Sequence, residues 1–511
     1  MKPNGSLWWF VLGVVVVVAW VVTMFFHLYR FSYPAMDSLC YFGPAVFAHG
    51  PGGLVMPFLG DFDGADRFWA LNWPGGLLVE SLFFPFLPKS PALYVGWNMV
   101  EWMVLALGTA AWVGTRTPRA LPVFGAFFLV LFNRNFFDVA WFQRHEFFGC
   151  YAVLGAVYGV WRSAGAGPTR LGTVCLVASF FALPLMQPTC LLAGGVFLGG
   201  LILGALWDRK VPFPRYLFAA AGAYMAGLGA FFLYFRMHPG SWEVFREHAK
   251  CNADVTYVEQ SYFFGKTLLN RLAIPSFLSE NLLLAGAVGA GGFLGWRLLR
   301  REGEREGSWR GSALGLTLVL FLALVGSSQL TYNSYYIVLA TPFTVVLFCW
   351  GVDALEGQGR GSLALTLLIG ACTMSTVYYG ARTRAMAKAD WPDFPKELEA
   401  IRESLPSGAH RILIPPVLWE AALMHSGPFV MNTLPHYADD AKRRSFEETI
   451  YADLEPGDLL LLNPLEAIQP LYRVDPALWE KVGERKHLYS ASKPHGYDIT
   501  IWRRKPASPG E

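Results

Sequence analysis

Charge is scarce in this 511-residue chain, with Asp, Glu, Lys and Arg together making up only 15% of it. A soluble globular domain carries roughly 25%, because something must face water. A surplus of one sign is missing too, 41 Lys and Arg nearly balancing 38 Asp and Glu; no nucleic acid partner is expected from such a balance. Cysteine is sparse: seven residues, no Cys-x-x-Cys pair, and most of them inside apolar runs, where a thiol behaves as a small hydrophobe. That argues against redox chemistry and a disulfide scaffold. Cys40 and Cys251 alone fall in expected loops, where one bridge is conceivable and structural thiols are the favoured reading.

Apolar residues are abundant instead, at 54% hydrophobic and 16% aromatic with a mean hydropathy of +0.35. They come in runs long enough for the roughly 20 residues that carry a helix across a bilayer. Eleven such runs are expected, near 7–27, 92–113, 120–137, 142–161, 171–186, 189–207, 216–235, 275–297, 312–329, 335–352 and 362–380. The first is too long for a signal peptide and lacks a small-residue cleavage pattern, so it reads as an uncleaved anchor.

Lys and Arg in short loops set the orientation. With the N-terminus cytoplasmic, Lys2, Arg116, Arg119, Arg162, Arg170, Arg209, Arg215, Arg297, Arg310 and Arg360 all fall inside, and the short loops between spans 5 and 6 and between spans 9 and 10 hold no Lys or Arg. Residues 28–91, 236–274 and everything beyond about 381 then lie outside. The expected architecture is an all-α polytopic membrane domain over residues 1–380, followed by a small extracytoplasmic α/β domain over 381–511. In the latter, 412–414 and 459–462 read as strands and 418–424 as a turn or two of helix. This tail holds neither a glycine-rich phosphate loop nor a nucleophile elbow, so packing or recognition is its expected role.

Polar residues gather on the outer face. Asp37 stands about ten residues past span 1, close to the membrane surface, where a carboxylate serves either as a general base or as the N-cap of the amphipathic stretch 38–47. The Asp61, Asp63 and Asp66 pattern resembles a calcium loop but has Asn72 where the closing Glu belongs, so a solvated turn is favoured. At the start of span 4, Arg144, His145 and Glu146 stand at a helix N-terminus, a place suited to phosphate or to an interfacial anchor. Gln187-Pro188 and Tyr335-Tyr336 add polarity in two further outer loops, and Arg236, His238, Arg246, His248, Lys250, Lys266 and Arg271 make the outer segment 236–274 basic.

In their order, these features resemble the integral-membrane glycosyltransferases of the GT-C fold, near the protein O-mannosyltransferase and aminoarabinose-transferase branch. The points of resemblance are Asp37 with Tyr41 after span 1, Asn72-Trp73-Pro74-Gly75 where the family has a Pro-Pro turn, Arg144-His145-Glu146 in place of Arg-Pro-Glu, Gln187-Pro188, and Tyr335-Tyr336 before a late helix. Ser38 stands where many members carry Glu, and His145 where Pro is usual.

The resemblance implies transfer of a hexose or pentose from a polyprenyl-phosphate-linked donor to a lipid, glycan or protein acceptor, at the outer face of a bacterial cytoplasmic membrane. It assigns Asp37 and Glu146 as catalytic, and Tyr41, Arg144, His145, Gln187, Tyr335 and Tyr336 as substrate-binding. In that scheme Asp37 deprotonates the acceptor, Glu146 orients it, and Arg144 with His145 neutralises the departing phosphate. A divalent metal ion is the one cofactor that the resemblance leaves open. The rival reading is a multispanning transporter or lipid flippase, in which the same polar residues would line a path.

Overall fold

The computed structural model describes residues 5–30, 36–50, 53–59, 65, 67–141, 144–164, 169–207, 215–257, 338–339, 341–388, 394–406, 411–415, 418–420, 429–431, 440–462, 474–485 and 499–506. The expected spans at 275–297 and 312–329 lie outside these, as do Tyr335 and Tyr336.

Helices dominate the described membrane region. They are α1 (Gly5–Arg30), α2 (Met36–Val46), α3 (Gly75–Glu80), α4 (Pro91–Gly114), α5 (Ala120–Leu131), α6 (Arg134–Trp141), α7 (Glu146–Ala164), α8 (Arg170–Met186), α9 (Pro188–Trp207), α10 (Arg215–Arg236), α11 (Ser241–Tyr257), α12 (Thr341–Gly357) and α13 (Gly361–Lys388). Val11–Leu28, Arg215–Arg236 and Gly361–Ala381 are long and apolar enough to cross a membrane by themselves, and α5 with α6 makes a fourth if the bent pair is one span. Val15, Val18 and Val22 on α1, Phe218, Met225 and Leu233 on α10, and Ile369 and Val377 on α13 are exposed, as lipid-facing side chains must be. These surfaces and the likeness reported below make this an integral membrane protein.

The continuous span expected at 120–137 is instead broken. Helices α5 and α6 meet at 40°, because Asn133 turns its side chain back to accept from the Asn135 backbone N–H and starts a new helix (2.9 Å). A helix end inside a membrane domain strands carbonyls that water cannot reach. Three are satisfied from other helices: the indole N–H of Trp102 donates to the Val130 carbonyl (2.8 Å), that of Trp20 to Leu131 (2.9 Å), and the Ser375 hydroxyl to Phe132 (2.8 Å). The helix expected from residue 142 begins at Glu146, and the one expected over 335–352 is seen over Thr341–Gly357.

At one end of the bundle Arg119 pairs with Asp353 (3.1 Å), and Arg116 lies over the Trp350 ring (5.2 Å). The α4–α5 connection and the end of α12 thus share one end, as the expected alternation of inner and outer loops requires.

Beyond α13 come α14 (Phe394–Ser404), β1 (Ile412–Ile414), β2 (Phe429–Met431), α15 (Asp440–Ala452), β3 (Leu459–Leu462), β4 (Trp479–Arg485) and β5 (Ile499–Arg504). The five strands form a mixed sheet in the order β2-β1-β3-β5-β4, parallel across β2-β1-β3 and antiparallel across β3-β5-β4. Buried Ile412, Ile414, Leu459, Leu461, Ile499 and Ile501 form one face of its core, under Leu398 and Ile401 of α14. Gly457 takes a positive φ (96°) in the turn that opens β3, a conformation glycine adopts without steric cost.

This domain rests on the chain between α1 and α4 and on the start of α4. Trp419 stacks on Tyr94 at the start of α4 (5.9 Å), and Phe429 of β2 meets Phe58 (6.3 Å).

Candidate functional site

The site is assembled where α2, α3, α4 and α7 converge. Helix α3 is pressed into place by the Asn-Trp-Pro-Gly-Gly turn before it. The Trp73 indole N–H donates to the Pro184 carbonyl of α8 (2.9 Å). The usual helical partner of that carbonyl is missing, since residue 188 is proline and has no N–H. Gly75 allows α3 to approach the backbone of α8, where an added Cβ would stand 2.5 Å from the Leu185 carbonyl oxygen. At Gly76 a Cβ would stand 2.0 Å from His145 Nδ1. Both glycines are required by close approach.

Around the start of α7, Arg144 Nε donates to Glu146 Oε1 (2.7 Å), and its Nη2 donates to the Tyr41 hydroxyl (3.1 Å) while the guanidinium lies over the Tyr41 ring (5.1 Å). His145 packs between Tyr41 (5.1 Å), Phe42 (5.3 Å) and Phe148 (6.0 Å). Its Nε2 comes to 3.2 Å from Glu80 Oε2, without full hydrogen-bond alignment. Arg144, His145, Glu146 and Glu80 are all buried, Glu80 and Glu146 completely.

Burial raises Glu80 well above the usual carboxylate range, and burial lowers His145 to about 4 even though Glu146 lies beside it. The close Glu80–His145 contact thus joins a carboxyl whose ionisation burial opposes to an imidazole whose protonation burial opposes. Both residues lie in connecting segments ahead of the spanning helices they adjoin.

Of the residues singled out in the sequence, Tyr41, Arg144, His145 and Glu146 come together. Asp37 lies on α2 one turn before Tyr41; its side chain is outside the described residues. Gln187 ends α8, and an added Cβ on Gly149, one turn into α7, would stand 3.3 Å from its Nε2. Tyr335 and Tyr336 are outside the described residues; the Val338 carbonyl accepts from the Cys150 thiol of α7 (3.3 Å). His238, just past α10, stacks on Phe68 (3.9 Å).

The N-terminal end of α7 carries Glu146, paired with Arg144. His145 is enclosed among rings, where burial opposes its protonation. For a metal, no group of three His, Cys, Asp or Glu side chains gathers among the described residues, and Arg144 occupies one Glu146 oxygen. This donor set does not fit a hard divalent ion, which takes six or more oxygen ligands.

The sequence reading passed over Glu80, Glu101, Asn98 and Trp97. Glu101 is the only charged residue in the expected span 92–113, and a lone acid inside a membrane helix is itself a functional signal. Trp97 and Asn98 lie one turn before it, on the same face of α4. Among the described residues, no carboxylate oxygen of Glu80 or Glu101, and neither polar atom of the Asn98 amide, has a hydrogen-bond partner of standard geometry. The Trp97 indole lies beside both acids.

No protein-family model matches this chain, and no curated protein sequence does. Solved structures match it over nearly its whole length. The crystal structure of ArnT from Cupriavidus metallidurans in the apo state superposes with a TM-score of 0.61, covering 98% of this chain and 98% of that one at 13% identity. The chain has the ArnT fold. The crystal structure of the same protein bound to undecaprenyl phosphate gives a TM-score of 0.61 over 96% of this chain and 97% of that one, at 12% identity. The likeness to ArnT takes in both the helical bundle and the five-stranded domain, so the resemblance to the aminoarabinose-transferase branch of the GT-C group, inferred from the order of short motifs, holds in three dimensions.

Proposed function

We propose that this chain is a membrane glycosyltransferase that moves a sugar from a polyprenyl-phosphate donor to an acceptor at the extracytoplasmic face of a bacterial cytoplasmic membrane. The observation that carries this reading is the ArnT fold across nearly the whole chain, in a protein seen with undecaprenyl phosphate. The Arg144–Tyr41–Glu146 cluster supports it, since a guanidinium aimed by a buried carboxylate is a fixed donor for phosphate oxygens.

In this scheme the acceptor oxygen attacks the anomeric carbon and gives its proton to Asp37. The bond from sugar to phosphate breaks, and its electron pair leaves on the phosphate. Arg144 stabilises the charge that develops there, most strongly because the surroundings exclude water. Glu146 and Tyr41 hold Arg144, and His145 packs against Tyr41. Orientation follows from the basic loops, with the N-terminus cytoplasmic and the C-terminal domain outside.

The test is transfer of radiolabel from a panel of polyprenyl-phosphate sugars, by purified protein in membranes with mixed lipid, glycan and protein acceptors. Acceleration of lipid flipping with no transfer from any donor would instead establish the flippase reading.

A further inference from the structure

Glu80 and Glu101 have no part in the transfer scheme, although they are among the costliest groups in the molecule. Both are buried, at 0% and 5% exposure, and among the described residues none of their four carboxylate oxygens has a hydrogen-bond partner of standard geometry. An ionised carboxylate held in this way is unfavourable unless it is paired. The nearest group, His145 at 3.2 Å from Glu80, is itself enclosed and uncharged. The Glu101 backbone carbonyl accepts from the Tyr151 hydroxyl of α7.

The charge balance makes the problem sharper. Taken by themselves, Glu80, Glu101 and Glu146 would outweigh Arg144 by two negative charges if all three were ionised. An anionic lipid phosphate would be repelled from the very guanidinium meant to hold it. At an effective dielectric of about 20, a unit charge about 10 Å away changes affinity by roughly tenfold. Among the described residues, the other titratable groups facing the cluster do not relieve this: Tyr41 from α2, Tyr94 from α4, Tyr151 from α7 and Glu420 from the C-terminal domain supply no cation.

We propose that Glu80 and Glu101 are held as uncharged carboxyl groups, forming with His145 a proton-holding cluster that keeps the Arg144 site receptive to an anionic phosphate. Glu80 donates toward His145 Nε2 while the other side of the ring meets the Tyr41 backbone. A proton in the cluster thereby also fixes the ring that packs against Tyr41. Glu80 and Glu101 are positioning residues in this account, with no contact to the sugar or the acceptor.

The phosphate half of the proposal rests on the donor reading above; the protonation half does not, and two measurements separate them. Infrared difference spectra of the full-length protein in nanodiscs at neutral pH, wild type minus Glu80→Gln and wild type minus Glu101→Gln, are expected to show the carbonyl stretch of a protonated carboxyl. In the second measurement, affinity for undecaprenyl phosphate is followed as pH is raised. It should fall by about tenfold for each carboxyl that ionises, and the Glu80→Gln/Glu101→Gln double variant, permanently neutral at both positions, should lose that part of the fall. Ionisation of the lipid phosphate and of Tyr41 is common to both proteins and cancels in the comparison. Absence of the infrared band, or identical alkaline limbs in wild type and double variant, overturns the proposal. A clear band in a protein that binds no undecaprenyl phosphate at any pH overturns the donor reading, and with it the phosphate half. If the double variant does not fold, each single Gln variant is read by the loss of its own band.

Discussion

A methyl group added at Gly76 should damage this protein out of proportion to its size. The Cβ of Gly76→Ala would stand 2.0 Å from His145 Nδ1, 2.9 Å from Cγ and 3.0 Å from Cε1, where van der Waals contact needs about 3.5 Å. Something must move by about 1.5 Å. Helix α3 cannot retreat freely, because Gly75 packs against the α8 backbone and Trp73 is bonded to Pro184. The imidazole cannot turn freely either, lying between Tyr41, Phe42 and Phe148 with Glu80 at its far nitrogen. Overpacking of this kind costs about 1–3 kcal/mol, against a gain of at most about 1 kcal/mol from replacing glycine by alanine in a helix. A net loss of about 1–2 kcal/mol is expected.

It is read as a shorter thermal half-life in nanodiscs and weaker binding of undecaprenyl phosphate. Gly370→Ala, where a Cβ meets nothing within 4 Å on α13, serves as the control and should be neutral or slightly stabilising. In the double variant Gly76→Ala/His145→Ala the clash is gone, so the two costs should be less than additive. A Gly76→Ala protein as durable as wild type, or additive costs in the double variant, would refute the close-approach argument.

Asp37→Asn should express normally while transfer falls by at least about a hundredfold, the low end for loss of a general base; near-normal transfer would leave Asp37 as a helix cap. Arg144→Ala should weaken undecaprenyl phosphate binding more than Arg144→Lys, which keeps the charge but loses the fork. Because Arg144→Ala also strands the buried Glu146 carboxylate at about 3–5 kcal/mol, Arg144→Ala/Glu146→Gln is measured beside it, and full affinity in that pair would remove Arg144 from the site. Finally, single cysteines on a cysteine-free background, treated in intact cells with an impermeant thiol reagent, should label at Glu455 and not at Gln358, both exposed positions. The opposite pattern would invert the chain and turn the site toward the cytoplasm.

Much of this architecture is legible in the sequence because lipid is a simple solvent: α1, α10 and α13 advertise themselves by length and apolarity alone. Strands β1 and β3 were equally plain, as short aliphatic runs between turns. The break at Asn133 was hidden because both sides of it are apolar and its compensation comes from Trp20, Trp102 and Ser375, residues far away in the sequence. In the site, Arg144, Glu146 and Tyr41 could be picked out as polarity at a boundary. The closeness of Glu80 to His145 could not, since it depends on two glycines letting α3 press inward. Glu101 was readable as a lone acid within a span, but its neighbours come from packing rather than spacing.

The break between α5 and α6 also has a bearing on the order of assembly. Once α1, α4 and α5 are in the bilayer, the Val130 and Leu131 carbonyls can find their indole partners. The Phe132 carbonyl must wait for Ser375, 243 residues further along the chain. A chain emerging from N- to C-terminus therefore carries an open joint through nearly half of its synthesis, and α13 closes it on arrival. Truncation before α13 should leave a bundle that has inserted but cannot lock, recognisable to quality control by one bare carbonyl at a bend.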